Sequence, residues 1–301
     1  MFTEGEERVK VIENLINCFS AENKPCYVAK PGETIMFKTV DCFTGQITSE
    51  DQFPTDEYEN MDLATGPVYV EGAKPGDVLV VDILDVAVAP VGTTCGIGGP
   101  LADRIEQRTK RIPVKGNVAQ FNDIMFHVDP MIGVIGVTPA QGAPLCFLPG
   151  NHGGNMDSKM IKKGSRIYFP VQVDGALLGM GDVHASQGDG ELCGTGIEID
   201  AEITVKVDVI KDFELNWPVT ETQDKWYVNT CAPEYKQALD AGCDEISRLI
   251  CDAYGWDLTD AFLYMSLKCD IEINQFTLPC PIDMNLRLGI PKDCGKELIK
   301  K

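Results

Sequence analysis

The run IEIDAEITVKVDVI alternates without a break. Ile197, Ile199, Ala201, Ile203, Val205, Val207 and Val209 take one side, and Glu198, Asp200, Glu202, Thr204, Lys206 and Asp208 the other. Side chains of a strand repeat every two residues, so this pattern predicts one long strand with a buried and a polar face. Shorter runs repeat the theme from about Pro31 to Ile210, among them ETIMFKTV, GPVYVEG, DVLVVDILDVAVA, MIGVIGV, RIYFPVQV and ALLGMGDVH, with glycine and proline between them. Many short strands and little helical periodicity predict a mainly β protein, a sandwich or barrel.

After Asp212 the pattern changes. PEYKQALDAGCDEISRLICDAYG sets Tyr235, Ala238, Leu239, Ile246, Leu249, Ile250 and Ala253 at helical spacing, with Pro233 before the start and Gly255 past the end. Asp257 is placed to cap a second helix running through Leu267, and strand-like WPVTETQDKWYVN and MNLRLGI flank the pair. The expectation is a β core over residues 1–210 and a smaller α+β portion over 211–301 packed on it, with no flexible linker between them.

Composition narrows the class. Against 26 Lys and Arg stand 46 Asp and Glu, a formal charge of −20 in 301 residues, and such a field repels polyphosphates and anionic membrane surfaces. The expected partner is a small neutral or cationic molecule, with neither nucleic acid nor membrane involved. No apolar run approaches the ~20 residues of a membrane span and MFTEGEERVKVIENL holds no apolar signal core, which predicts a cytoplasmic protein. The 12 cysteines contain no C-x-x-C pair, the closest being eight apart at Cys18/Cys26 and Cys243/Cys251. They read as reduced, small apolar residues, in keeping with that compartment.

Candidate chemistry gathers in one stretch. Asp174-Gly175 between apolar runs predicts a two-residue hairpin, with Val173 facing Ala176, Ile167 facing Asp182 and Ser165 facing His184. Asp182 and His184, two apart on one strand, then share a face at the open end. The incoming segment PGNHGGNMDSKMIKKGS brings His152, Asn155 and Asp157 to that end; the outgoing loop adds Gln187, Asp189 and Glu191, and Glu198 opens the next strand. Mixed His, Asp and Glu donors suit a divalent metal such as zinc, whose bound water is acidic enough to supply hydroxide near neutral pH, with an unligated Glu moving the proton. The plainer alternative is a polar turn, because Asp-Gly pairs are common in turns and a lone D-x-H is more often hydrogen-bonded than metal-bound. His127 in FHVDP reads as structural, Cys193 as a packing residue, and GIGGPLAD as a loop and then a pocket wall. No G-x-S-x-G, H-E-x-x-H or Walker pattern is present.

These segments resemble the acetamidase/formamidase family. The likeness is carried by GGNMD and GDVHASQGDGE about thirty residues apart, and by DCFTGQI, GPVYVEGAKPGDVLVVDI and DPMIGVIGVTPA, which together cover most of residues 27–210. The resemblance implies a jelly-roll-like β-sandwich with a smaller α+β portion, a homo-oligomer of two or more chains, and hydrolysis of short amides such as formamide and acetamide to the acid and ammonia. Carried onto matching positions, it implies that Asp157, Asp182 and His184 bind a divalent metal, zinc by preference, with Glu198 able to replace Asp182. Glu191 is then general base and acid, and His152, Asn155 and Gln187 orient the amide or stabilise the oxyanion. The rival readings are a cupin-like metal oxygenase or isomerase, echoed by Asp182-x-His184 with Glu191, and a calcium-binding sandwich module without activity.

Overall fold

A computed structural model describes residues 9–54, 60–276, 284–292 and 295–300. The first eight residues, on which much of the reading of the N-terminus rests, lie outside it. The elements run in chain order as β1 (Lys10–Ile12), β2 (Leu15–Ile16), β3 (Tyr27–Ala29), β4 (Thr34–Thr39), β5 (Ala64–Val70), β6 (Val78–Val88), β7 (Val91–Cys95), β8 (Thr109–Lys115), β9 (Val118–Phe121) and β10 (Ile124–His127). They continue with β11 (Met131–Gly136), β12 (Gly153–Asn155), β13 (Arg166–Pro170), β14 (Leu178–His184), β15 (Glu198–Ile199), β16 (Ala201–Ile210), β17 (Val219–Glu221) and β18 (Lys225–Ala232). Helices α1 (Tyr235–Tyr254) and α2 (Leu258–Lys268) precede β19 (Asp270–Gln275) and β20 (Met284–Pro291).

The strands form two sheets, as the sequence predicts for a sandwich. One has the order β1-β4-β16-β6-β13-β17-β18-β20-β19; the other runs β10-β9-β8-β7-β15-β14-β11-β12, with β5 on β14 and β2 and β3 on β5. The period of two divides the first sheet between two cores. Leu79, Val81, Ile83, Ile167 and Phe169 face the second sheet, whereas Val78, Val80 and Tyr168 turn to the opposite side. There they join Trp226, Val228, Leu286, Leu288 and the α1 residues Ala238, Ile246, Leu249 and Ile250. The described residues after 210 therefore extend the first sheet, β17 pairing with β13, and bury a second core under the helices together with Val78, Val80 and Tyr168.

Both helix ends follow their sequence signals. Gly255 takes φ 71° and its N–H bonds to Cys251 O, the left-handed stop that glycine adopts without a Cβ clash. Asp257 accepts from Asp260 N at 2.9 Å, a cap that contributes about 1 kcal/mol.

Two expectations are corrected. There is no hairpin at Asp174-Gly175: β13 pairs with β6 and β17 in the first sheet, and β14 pairs with β11, β5 and β15 in the second. Gly175, Ala176 and Leu177 all take left-handed φ angles of 75°, 59° and 59°, carrying the chain across the sandwich instead of folding it back. The predicted facing of Ile167 with Asp182 and of Ser165 with His184 falls with it. The alternating run from Ile197 is likewise two strands, β15 in the second sheet and β16 in the first, changing sheets at Asp200, whose carboxylate accepts from Asp41 N at 2.7 Å.

Candidate active site

The site lies where β14 changes neighbours. Along Leu178–Gly181 one edge of β14 pairs with β5; from Val183 it pairs with β15. Asp182 stands in the gap with φ 48°, opposite Gly133 of β11. The gap admits acids from both flanking strands: Asp62 two residues before β5, and Glu198 at the start of β15. Glu198 thus belongs to the interior, 1% exposed, and not to the solvent face its alternation predicts. Asp157 arrives beyond β12, its N–H and that of Met156 both donating to Gly133 O at 3.2 and 3.1 Å. A Cβ on Gly133 would lie 2.5 Å from Asp182 Oδ2 and 2.7 Å from Asp157 Oδ1, so the absence of a side chain makes the space in which the two acids meet.

His184 ties the cluster together. Its Nδ1 is 2.7 Å from Gln187 Oε1, an acceptor only, so Nδ1 carries a proton and donates it. Its Nε2 is 3.2 Å from Asp182 Oδ1 and 3.0 Å from Glu198 Oε2, the latter without the alignment of a hydrogen bond. Glu191 Oε1 lies 3.8 Å from Nδ1 on the other side. Glu198 Oε1 accepts from Gly196 N at 2.7 Å, and Gly196 leaves room for the imidazole, against which its Cβ would press at 2.8 Å.

Crowding so many buried acids perturbs all of them. Burial, with the Asp182 charge adding to it, pushes Asp157 up to about 8 and Asp62 well above the usual carboxylate range. Burial raises Glu191 well above its usual range, reinforced by Asp157, and takes Glu198 up to about 7 against the pull of His184. Burial opposes charge on Asp182 and on His184, yet their mutual attraction wins, lowering Asp182 and, together with Glu198, raising His184 well above 6.5. Asp62, Asp157, Asp182 and Glu191 also share left-handed backbone, at φ 53°, 46°, 48° and 43°. Each costs on the order of 1 kcal/mol, and such strain concentrates at functional sites.

The other expected residues divide. With its amide nitrogen turned to Asp157, Asn155 donates to both carboxyl oxygens at 3.0 and 2.8 Å. Gln187 donates from Nε2 to Asp157 O at 2.8 Å while holding His184, so both its polar ends are engaged by protein. His152 stands apart: it meets the ring of Phe19 edge-on with centroids 5.3 Å apart, and burial alone lowers it to about 4. Its Nε2 has no hydrogen-bond partner. His127 is exposed at the end of β10, and the GIGGPLAD loop packs on Leu192 and Cys193 through Ile97 N and Gly98 N to Cys193 O. All ten described cysteines are free.

Three participants escape a local reading. Asp62 and Cys42 come from the segment before β5, linked by Asp62 N to Cys42 O at 3.0 Å. Arg287, on β20, is fully buried and grips Asp189 with two bonds of 2.8 Å, Asn274 Oδ1 at 2.7 Å and Glu272 at 2.5 Å. Asn274 O in turn accepts from Gly190 N and Gln187 Nε2, so the C-terminal strands hold the loop that holds His184. An arginine amid the alternating leucines of MNLRLGI was the available signal.

A buried imidazole among carboxylates, at a break in a β-sandwich, forms a cluster whose donor atoms could hold a metal ion. The model of the acetamidase/formamidase family matches residues 6–147 and 143–248, and the chain belongs to that family. Its fold superposes on a predicted acetamidase/formamidase from Thermoanaerobacter tengcongensis with a TM-score of 0.91 and 34% identity, covering 95% of this chain and 96% of that one. An acetamidase from Bacillus halodurans gives a TM-score of 0.90 and 32% identity over 95% and 98% of the two chains. The acetamidase of Mycolicibacterium smegmatis is 30% identical over 60% of this chain, and the chain spans 62% of that relative's length. Residues 249–301, with Arg287, lie beyond the matched segments.

Proposed function

We propose that the protein hydrolyses short aliphatic amides, formamide and acetamide among them, to the carboxylic acid and ammonia. The observation that carries this reading is the clustering of Asp157, Asp182, His184, Glu191 and Glu198 in one buried site of a chain similar over nearly its whole length to the Bacillus halodurans acetamidase. The donors suit a divalent cation, zinc by preference: Glu198 Oε2 is buried with no hydrogen-bond partner, and the acids repel one another unless protonated or neutralised. Asp182, His184 and Glu198 would hold the cation, with Asp157 beside Asp182. When bound, it supplies a water ionised near neutral pH and polarises a carbonyl.

The chain's own groups do the rest. Gln187 fixes His184 with Nε2 facing Asp182 and Glu198, and Asn155 fixes Asp157. Glu191, with Oε1 3.8 Å from His184 Nδ1, takes the proton of the attacking water and returns it to the departing nitrogen. A cavity of about 250 Å³ lined by Phe43, Ile47, Phe53 and Met61 together with Gln46 and Gln52 borders the chain neighbours of Cys42 and Asp62. Burial of the centre favours an uncharged substrate, and the net charge of −20 disfavours an anionic one.

The test is Glu191→Gln. Metal content should stay at the wild-type level while kcat falls by about 10²–10⁴-fold, and near-normal turnover would remove Glu191 from this role. Cytoplasmic placement and homo-oligomeric assembly are proposed alongside. No described helix is long and apolar enough to cross a membrane, and α2 presents Phe262, Leu263 and Leu267 at 58%, 60% and 78% exposure, a face suited to a second copy.

A further inference from the structure

Cys42 is the buried residue beside the centre that the proposed chemistry does not use. It lies in DCFTGQI, is 4% exposed, and its backbone carbonyl anchors Asp62. Its Sγ and carboxylate oxygens of Asp182 and Glu198 all lie within 4.8 Å of one another. The same two carboxylates flank His184 Nε2 at 3.2 and 3.0 Å. A sulfur and two carboxylates therefore meet from three separate stretches of chain, and His184, which groups with Asp157 and Glu191, borders the same two carboxylates. A second observation points into that space: Glu198 Oε2, on a residue 1% exposed, has no hydrogen-bond partner. His184 Nε2 faces it at 3.0 Å without hydrogen-bond alignment, and a buried acceptor that makes no hydrogen bond costs about 1–3 kcal/mol.

We propose that Cys42 is a thiolate ligand of the metal centre, acting with Asp182, His184 and Glu198, and that its sulfur makes the centre select zinc or cobalt over magnesium and calcium. The inference rests on the reading that the centre holds a divalent cation. Thiolate sulfur is a soft donor that zinc and cobalt accept, whereas magnesium and calcium require oxygen. On binding, the thiol gives its proton to solvent and the sulfur–metal bond forms, releasing one proton from Cys42 for each cation held. The competing view makes Cys42 a packing residue of the small cluster with Phe43, Ile47 and Cys95.

Cobalt(II) loading of the metal-depleted full chain separates these views by spectroscopy, apart from any activity. The wild type should bind cobalt with a thiolate-to-cobalt charge-transfer band in the near ultraviolet. Cys42→Ser and Cys42→Ala should lose that band while keeping visible cobalt bands, and Cys42→Ser should bind zinc at least ~10-fold more weakly, the lower figure for loss of even an outer-shell partner. Bound cobalt without the charge-transfer band in the wild type, or a band that survives in Cys42→Ser, overturns the assignment of Cys42 and leaves the amidase reading standing. Failure of the wild type to bind cobalt or zinc at all overturns the metal reading itself. The wild-type spectrum decides the matter even if both variants fold poorly.

Discussion

Gly133 offers a direct perturbation of the acid pair. Real Cβ atoms do not come within 3.0 Å of such neighbours, and in Gly133→Ala the new atom would stand 2.5 Å from Asp182 Oδ2 and 2.7 Å from Asp157 Oδ1. Asp182 Oδ2 must then retreat by at least about 0.5 Å and Asp157 Oδ1 by about 0.3 Å, the shortfalls from that limit, and the Asp182 backbone oxygen, at 2.8 Å, must give as well. Gly133 lies outside the left-handed region, so its own backbone tolerates alanine, but Met156 N and Asp157 N both bond to its carbonyl and hold it in place. Overpacking of this kind costs about 1–3 kcal/mol. A displacement near 1 Å at a reacting centre can cost ~10²-fold in rate, so a shift of about half that should lower kcat by about 10-fold or more. The assay is ammonia release per folded molecule, with bound metal and the urea midpoint measured on the same samples. Gly136→Ala serves as control, because its Cβ would press on backbone, Gly154 N at 2.7 Å and His152 O at 2.8 Å, without touching an acid. It should lose stability but not turnover per folded molecule. Wild-type kcat and metal retention in folded Gly133→Ala would refute the placement of the site between Asp157 and Asp182.

Two further outcomes are expected. Arg287→Met removes the clamp on Asp189, Asn274 and Glu272; breaking a buried pair costs about 3–5 kcal/mol, and about 2–4 is expected here because the Asp189 and Glu272 side chains are 33% and 28% exposed. Its kcat should fall through the loosened Gln187–Glu191 loop while KM changes little, and an unchanged urea midpoint with normal kcat would show that the loop holds without it. His152 takes its proton only near pH 4 when folded, because burial disfavours the imidazolium, but near 6.5 when unfolded. Between those values the unfolded chain binds more protons, so stability contributed by the neutral ring is present above about pH 6.5 and lost as pH falls towards 4. At about 1.4 kcal/mol per pH unit the loss approaches ~3 kcal/mol. Denaturant midpoints at pH 7 and pH 4.5 should converge in His152→Phe relative to wild type; an equal acid sensitivity in the two would contradict this.

Much of the fold was legible because strands and helix ends are written locally. Short β-like runs between glycines and prolines located β4, β5, β6, β11, β13 and β14, alternation located β16, and Gly255 and Asp257 marked the helix boundaries. What alternation does not encode is which sheet a strand joins. Asp174-Gly175 signals a turn, but whether the chain folds back or crosses the sandwich depends on pairing of β14 with β11 and β5, more than forty residues away in sequence. The run from Ile197 keeps its rhythm through Asp200 because both sheets bury the same side, so nothing local betrays the change of sheet or the burial of Glu198. The clustering of the candidate residues was legible in part for the same reason. Asp157, Asp182, His184, Gln187 and Glu191 sit in two short polar segments rich in glycine, whereas Cys42, Asp62 and Arg287 reach the centre only through the assembled sheets. Asn155 and Gln187 were legible as positions but not as roles, since only the structure shows their amides occupied by Asp157 and His184.

The central claim is tested most directly by ammonia release from formamide, acetamide and propionamide, with metal analysis of the same protein before and after chelation. The account predicts ammonia and the matching carboxylate in equal amounts from at least one of the three, lost when the cation is removed and restored by zinc. No ammonia from any simple amide, in folded protein carrying its metal, would contradict it.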